Sequence, residues 1–455
     1  MENKHQVIVP SYSQFACIGT GISAIALGAT LQRWYQMDDI RFFERHGDSG
    51  GTWHISSYPG CACDVPSALY SFSFASNPGW TKLMPSYREI KKYQEEVAEA
   101  YSLRDKMRFY KQVDECIWCE ESSRWLMIIR DVRTGEIMHH ECDIFHSARW
   151  NHDVNLEGKK VVIIGNGCTA AQIVPAIVDR TESLTQIIRS KHWVFPAGNF
   201  TYPPLLQWIF RWTPFTMQLH RFHIFLMAER FPFIPHDQSS REATREVSTA
   251  SEKRRIFDCG YLESLNKDKL HLTDSKILEI TPDGVQTADG QIPADVIVLA
   301  TGFKTNKFVP FTDIRGRERT IDEHWKRCGG PGAYNCSVLS GFPNFFMLLG
   351  PNAATGHTSA VMASENSVNY ALRVLKPVLD GKAVAVDLKE DAEVEYVNWV
   401  QEALRQRIWN AGCASWYINE KKWNAMAYPW TQGHYWYRSL FPVWSHWTQK
   451  VGHLD

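Results

Sequence analysis

Several features that would place this chain in a familiar class are missing from it. No stretch reaches the roughly 18 apolar residues of a membrane-spanning helix, and the polar start MENKHQ gives no reason to expect a secretory leader. A large cytoplasmic enzyme is the expectation. Neither sign of charge prevails, with 49 basic residues against 50 acidic ones, and this removes the electrostatic case for a nucleic-acid partner. The cysteines, 11 in 455 residues, are odd in number and scattered, which suits a reducing compartment better than a disulfide framework. Cys116 and Cys119 form a C-x-x-C, a spacing that raises a disulfide reductase. They lie in the alternating, strand-like QVDECIWCEE, whereas redox pairs favour helix N-termini that lower a thiol pKa, so strand packing is expected. His139 and His140 have no partner at metal-ligand spacing, and no metal is expected.

What is present is a pair of glycine-rich turns. The first, GTGISA, runs from Gly19 to Ala24 after the apolar Phe15–Ile18 and before a helix-like stretch, Ile25 to Trp34. Gly19 permits a tight turn, Gly21 lets backbone approach a diphosphate, Ala24 allows close helix packing, and the helix start offers free N–H groups to an anion. Glu44 closes the next apolar run, Ile40 to Phe43, where a carboxylate can accept hydrogen bonds from ribose hydroxyls. This half suits FAD or NAD. The second turn, GNGCTA, puts Gly165, Gly167 and Ala170 in the same roles after the strand-like Val161–Ile164 and before a helix reaching Val178. Its ribose position carries Arg189 and Lys191 and no acid. Two cations there suit the 2′-phosphate of NADP. Between the turns and the C-terminus the chain shows no low-complexity linker and no further repeat.

Aromatic residues are plentiful, with 18 Trp among them. Residues 202 to 235 suggest amphipathic helices within the nicotinamide half, either a lid over a bulky apolar substrate or helices that pack on the sheet or touch a membrane surface.

The stretch ERHGDSGGTWHISSYPGCACDVPSALYSFSF, Glu44 to Phe74, closely resembles the flavin-contacting segment of Baeyer–Villiger monooxygenases. The resemblance continues through FHSARW (Phe145–Trp150), EKRRIFDCGYLESL (Glu252–Leu265), ADVIVLATGF (Ala294–Phe303), GFPNFFMLLGPN (Gly341–Asn352) and GCASWY (Gly412–Tyr417). The family flavour is that of fungal secondary metabolism, including aflatoxin- and sterigmatocystin-type pathways. The implied fold is α/β, with two Rossmann-like dinucleotide-binding domains and a helical insertion. Residues 1–145 and 301–455 would form the FAD-binding domain, and 146–300 the NADP-binding domain with its insert near 202–250. The implied cofactors are FAD and NADPH, and the partners are O2 and a small apolar ketone. Reduced flavin would capture O2 as a C4a-peroxide that attacks the carbonyl to give an ester or lactone. The resemblance makes Arg254 the permanent cation that stabilises the negative oxygens, with Arg255 its rival one residue along. Asp64 would position that arginine near the flavin. Gly51, Thr52, Trp53 and Tyr70 fall in the flavin-contacting motifs, Lys253 would join Arg189 and Lys191 at the 2′-phosphate, and His146 and Trp150 would support domain motion. Flavin-dependent N-, S- or C-hydroxylation is the related alternative.

One departure from the family pattern stands out. Ile144 meets Phe145 directly, where the family has roughly 25 to 30 further residues, among them the first interdomain linker and the end of a strand beside FAD, whose loss should leave sheet groups unpaired. A skipped coding segment and a true deletion both account for it, and sequencing the transcript across Asp143 to His146 separates them. A non-catalytic relic that binds nucleotide, or nothing, because the linker is missing, is the alternative from outside enzymology.

Overall fold

The computed structural model describes residues 11–141, 156–188, 194–196, 198–230, 256–258, 260–300, 308–309, 311–356, 358–405, 418 and 422–452. Two parallel sheets organise it. The first takes its strands in the order Phe15–Ile18, Ile40–Phe43 and Met107–Arg108, all parallel. A crossover helix, Ile22–Tyr35, joins the first two and buries Ala24 through Leu31. Small residues let it lie close: a Cβ at Gly28 would stand 2.8 Å from Leu103 Cδ2. Gln36 stops the helix in the left-handed region (φ 52), its N–H turned back to the Gln32 carbonyl at 3.0 Å.

The second sheet runs Leu270–Thr273, Ser183–Ile187, Lys160–Ile164 and Val296–Leu299, again all parallel. Its central run, VVII, is apolar without alternation, as a strand covered on both faces must be. The helix Cys168–Ile177 lies over it, and Val161, Ile163, Ala170, Ile173 and Val174 share one core. Both glycine turns therefore stand at the carboxyl end of a parallel strand and the start of a helix, the arrangement of an α/β dinucleotide-binding fold.

A third, largely antiparallel sheet is built on Lys111–Cys119, Arg124–Asp131 and Ile137–Glu141, with Asp313–Arg315 and Ser11–Tyr12 on its margins. Cys116 pairs with Met127 across this sheet and is fully buried, so the C-x-x-C belongs to a strand. The helix Ala360–Val374 covers the first sheet from the C-terminal part of the chain. One core joins Phe15, Cys17 and Leu27 to Val368, Leu372 and Tyr396. Sequence predicts amphipathic helices over 202–235, and the structure gives Pro204–Trp212 and Thr216–Arg230. Both turn apolar side chains outward: Leu205, Trp208 and Trp212 on the first and Leu219, Phe222 and Leu226 on the second face solvent, while Arg221 is turned inward. No helix among the described residues is long and apolar enough to cross a membrane.

A buried ion pair lies away from both turns. Glu393 accepts hydrogen bonds from the Ser340 N–H at 2.7 Å and from His324 Nε2 at 2.9 Å. Burial alone would push the imidazole down, but the Cys328 thiol and the Glu393 carboxylate outweigh it and hold His324 up at about 9. A value raised in the folded state means that the pair's contribution is whole below about 6.5, the unfolded value of histidine, and is lost as pH climbs through about 9. The thermal midpoint is therefore expected to fall between pH 7 and pH 10, and His324→Gln to flatten that slope. An identical slope in the variant would place the sensitivity elsewhere.

Candidate functional site

The first turn is shaped by backbone. Gly19 is left-handed (φ 96) and donates its N–H to the Phe43 carbonyl at 2.8 Å. Gly21 precedes the helix with no side-chain cap, so the first-turn amides are uncommitted to any capping group. Facing it is the GGTW turn. Gly50 and Gly51 both have positive φ, the Gly50 N–H reaches the Thr20 carbonyl at 3.1 Å, and a Cβ at Gly21 would meet only Gly51 Cα, at 3.5 Å. Two glycine turns thus oppose one another beside a helix start, which fits a diphosphate.

Glu44 ends its strand inside this cradle and is 3% exposed. One carboxylate oxygen accepts from the Thr20 N–H at 3.2 Å and hydroxyl at 3.3 Å, the other from the His46 N–H at 2.9 Å and ring Nδ1 at 2.5 Å. Burial would raise its pKa, yet the His46 and Thr20 bonds outweigh that and hold the carboxyl below its usual value. The acid is anionic at neutral pH, and the four bonds it accepts occupy its lone-pair sites, so a ribose hydroxyl would take the place of one of these donors. Sequence reasoning missed His46, although its place two residues after the acid was a usable signal. Trp53 and Tyr70 also come together here: the indole N–H donates to the tyrosine hydroxyl at 3.0 Å and the rings meet edge to face at 5.6 Å. Thr52 beside them is exposed.

The second turn repeats the first. Gly165 (φ 124) donates to the Ile187 carbonyl at 2.9 Å, and a Cβ there would overlap the Ala300 carbonyl oxygen at 2.4 Å. Gln186 Nε2 fixes the turn by donating to the Gly165 carbonyl at 2.9 Å. Gly167 starts the helix without a side-chain cap, and a Cβ there would touch nothing within 4 Å. Ala170 is fully buried. Arg189, Lys191, Lys253, Arg254, Arg255, His146, Trp150 and the Ile144–Phe145 junction lie outside the described residues.

The two turns meet through Tyr58-Pro59-Gly60. Tyr58 donates its hydroxyl proton to Gln172 Oε1 at 2.8 Å, and Gln172 Nε2 donates to the Ala62 carbonyl at 3.2 Å. Gly60 (φ 76) lets backbone touch backbone, since a Cβ would stand 2.3 Å from the Gln172 carbonyl oxygen and 3.1 Å from Ala176 Cβ. Beside this contact a cleft is lined by Cys63, Asp64 and Met84 from the first half, Cys168 and Gln172 from the second-turn helix, and Ile256 and Phe257. Asp64 therefore shares a cleft with the chain just past Arg254. Neighbouring Cys61 is no nucleophile: burial pushes its thiol up to about 12, and it donates to the Ser56 carbonyl at 2.8 Å. Gln172 and Gly60 were not picked out as site residues from sequence. A glutamine in the otherwise apolar helix AAQIV was the available sign.

Residues 17–86 match a family model described as an NAD(P)-binding Rossmann-like domain. A Baeyer–Villiger monooxygenase of Streptomyces coelicolor is 32% identical over 470 aligned residues, covering 93% of this chain and 90% of the relative. That aligned length exceeds the 455 residues of the chain itself, so the relative carries residues without a counterpart here. The FAD-binding monooxygenase tazF of Aspergillus terreus is 28% identical, covering 90% of this chain and 83% of its own. Among solved structures, cyclohexanone monooxygenase from Rhodococcus sp. Phi1 bound to NADP+ superposes with a TM-score of 0.83 at 23% identity, over 98% of this chain and all of that one; this likeness is one of fold.

The contact at Gly60 carries a prediction. Gly60→Ala must hold a left-handed alanine against the Gln172 carbonyl, and a loss of about 2–3 kcal/mol in urea unfolding is expected, with weakened NADPH binding. An unchanged unfolding midpoint would mean that the helix can retreat from the turn.

Proposed function

The chain belongs to the Baeyer–Villiger monooxygenase family, and on that premise we propose that it uses FAD and NADPH to insert one oxygen atom of O2 beside the carbonyl of an apolar, polyketide-type ketone, giving an ester or lactone. The supporting observation is the close approach of Asp64, the start of the second-turn helix and Ile256–Phe257 around a narrow crevice. FAD, reduced by the nicotinamide, supplies the activation of O2 when bound. The opposed glycines Gly19, Gly21 and Gly51 fit its diphosphate, with Ala24 allowing the helix to lie close, and Glu44 fits its ribose. Thr52, Trp53 and Tyr70 border its ring system in this reading. Gly165, Gly167 and Ala170 hold the nicotinamide diphosphate, and Arg189, Lys191 and Lys253 take the 2′-phosphate.

Arg254 is the working cation. Its guanidinium cannot give up a proton, so it stabilises the negative charge that develops at the substrate carbonyl oxygen without quenching it. Asp64 orients it and offsets its charge. In this reading residues 1–145 and 301–455 form the FAD domain, 146–300 the NADP domain, and the enzyme works in the cytoplasm, the fungal likeness pointing to secondary metabolism.

A second reading, a nucleotide-binding relic, is favoured by one observation: relatives carry residues with no counterpart here. Anaerobic addition of NADPH to purified protein separates the two. Bleaching of bound flavin is expected, followed in air by ester or lactone from a ketone panel. Protein that stays colourless after incubation with FAD would favour the relic. Arg254→Ala should still bleach but lose ester formation by about 100-fold or more, the NADPH it consumes appearing as hydrogen peroxide. Undiminished ester would remove Arg254 from the role.

A further inference from the structure

The helices Pro204–Trp212 and Thr216–Arg230 form a hairpin whose inner face is fixed by polar contacts. Arg221 donates to the Ala68 carbonyl at 2.7 Å and the Ser71 carbonyl at 2.6 Å, and stands 3.7 Å from Glu365. Glu365 in turn accepts from the Ser73 N–H at 2.9 Å and hydroxyl at 2.7 Å. Tyr202 and His220 share a hydrogen bond of 3.0 Å. Glu229 accepts from the Gln432 and Gly433 N–H groups at 3.0 and 3.4 Å, at the start of the helix Gln432–Leu440. With its polar groups committed inward, the hairpin presents a defined outer surface.

That outer surface is largely apolar, with Gln218 and His223 the exposed polar residues of the second helix beside it. Leu205, Trp208 and Trp212 on one helix, and Leu219, Phe222 and Leu226 on the other, recur at alternating steps of three and four residues, which aligns each set along one stripe. Trp208 is 57% exposed, Trp212 67% and Leu219 65%. At the tip Phe215 takes the left-handed region (φ 64) with 74% of its surface in solvent. Exposed large apolar side chains gathered on two joined helices mark a candidate interaction site. Within the hairpin segment itself the charges up to Ala228 are of one sign. From Asn199 to Ala228 there is no Asp or Glu, while Arg211 is exposed on the hairpin and Lys82, bridged to Thr201, is exposed at its root. Two copies meeting through this segment would set like charges together, with no acid from within Asn199–Ala228 to meet them.

We propose that the outer face of this hairpin docks into the interfacial layer of a bilayer bearing anionic headgroups. The tryptophans suit the boundary between headgroup and acyl chain, Phe215 and Leu219 enter below it, and Arg211 and Lys82 meet the headgroups. The docking is independent of the oxygen-insertion chemistry.

The test is co-sedimentation of the full purified chain with vesicles of phosphatidylcholine, alone or with about three parts in ten phosphatidylserine. Co-sedimentation with the mixed vesicles and a blue shift of tryptophan emission are expected. The double variant Trp212→Glu/Leu219→Glu should bind about tenfold or more weakly, with unchanged far-ultraviolet circular dichroism. Four outcomes would overturn the proposal: equal sedimentation of variant and wild type, equal binding to neutral and anionic vesicles, a wild-type dimer by light scattering that the variant dissolves, or a variant that keeps vesicle binding but loses turnover of a water-soluble ketone. The last two would assign the face to a second copy or to substrate. The sedimentation readout needs no flavin, so failure of the monooxygenase reading would leave it interpretable.

Discussion

Backbone-to-backbone contact between the Tyr58–Gly60 turn and the helix of the second glycine turn is the constraint on which the rest depends. Each nucleotide unit is a common device with its own parallel sheet, and by itself neither brings a flavin near a nicotinamide. Gly60 lets the turn touch the Gln172 carbonyl, and the Gln172 amide answers with one bond to Tyr58 and one to the Ala62 carbonyl. A glutamine serves because its amide donates and accepts at once, satisfying polar groups from the facing segment in a buried place. Asp64 follows four residues after Gly60, so the same contact sets the narrow crevice beside which the chemistry is proposed to occur.

The two turns use glycine for distinct reasons. At Gly165 the need is steric, because a side chain would strike the Ala300 carbonyl, and its positive φ adds strain for any other residue. At Gly167 nothing lies near enough to clash. What a side chain would take there is the approach to the helix start, where an anion gains from uncapped amides and the helix dipole. The first half distributes the same work over Gly19, Gly21 and the opposed Gly50–Gly51 pair, and adds a buried carboxylate kept ionised by His46. The electrostatics are complementary: amides for phosphate at one end, an acceptor for ribose hydroxyls at the other.

Local features were legible in the sequence, and long-range ones were not. The strands Phe15–Ile18 and Ile40–Phe43 were read at their structural bounds because apolar runs closed by Gly or an acid are signals held within a few residues. Gly19, Gly165 and Glu44 were legible for the same reason. The Tyr58–Gln172 bond spans 114 positions and the Ser73–Glu365 bond 292, and no periodicity in either segment announces its partner. Which way the apolar residues of Thr216–Arg230 would face was left open, between a lid, packing on the sheet and a membrane surface, because a helix pattern specifies which residues share a face, not which face turns inward. Arg221 turns inward because carbonyls at Ala68 and Ser71 await a donor, information held in another part of the chain.

The margin of the first sheet shows what holds the flavin half together. Among the described residues Phe15–Ile18 ends the strand order, although its four residues are 0–6% exposed. Beside it Ala16, Ile18 and Phe43 share a core with Phe342, Phe345 and Met347, residues buried without belonging to a strand. Trp125 ties that segment down through the Pro343 carbonyl at 2.8 Å. A ladder hydrogen bond nets about 1 kcal/mol, whereas a fully buried Ile, Phe or Met contributes about 1.5–3 kcal/mol. Several such side chains outweigh a few ladder bonds, so packing rather than pairing keeps Gly19 at the end of its strand. The same packing would let a chain shortened near this sheet keep the turn in place.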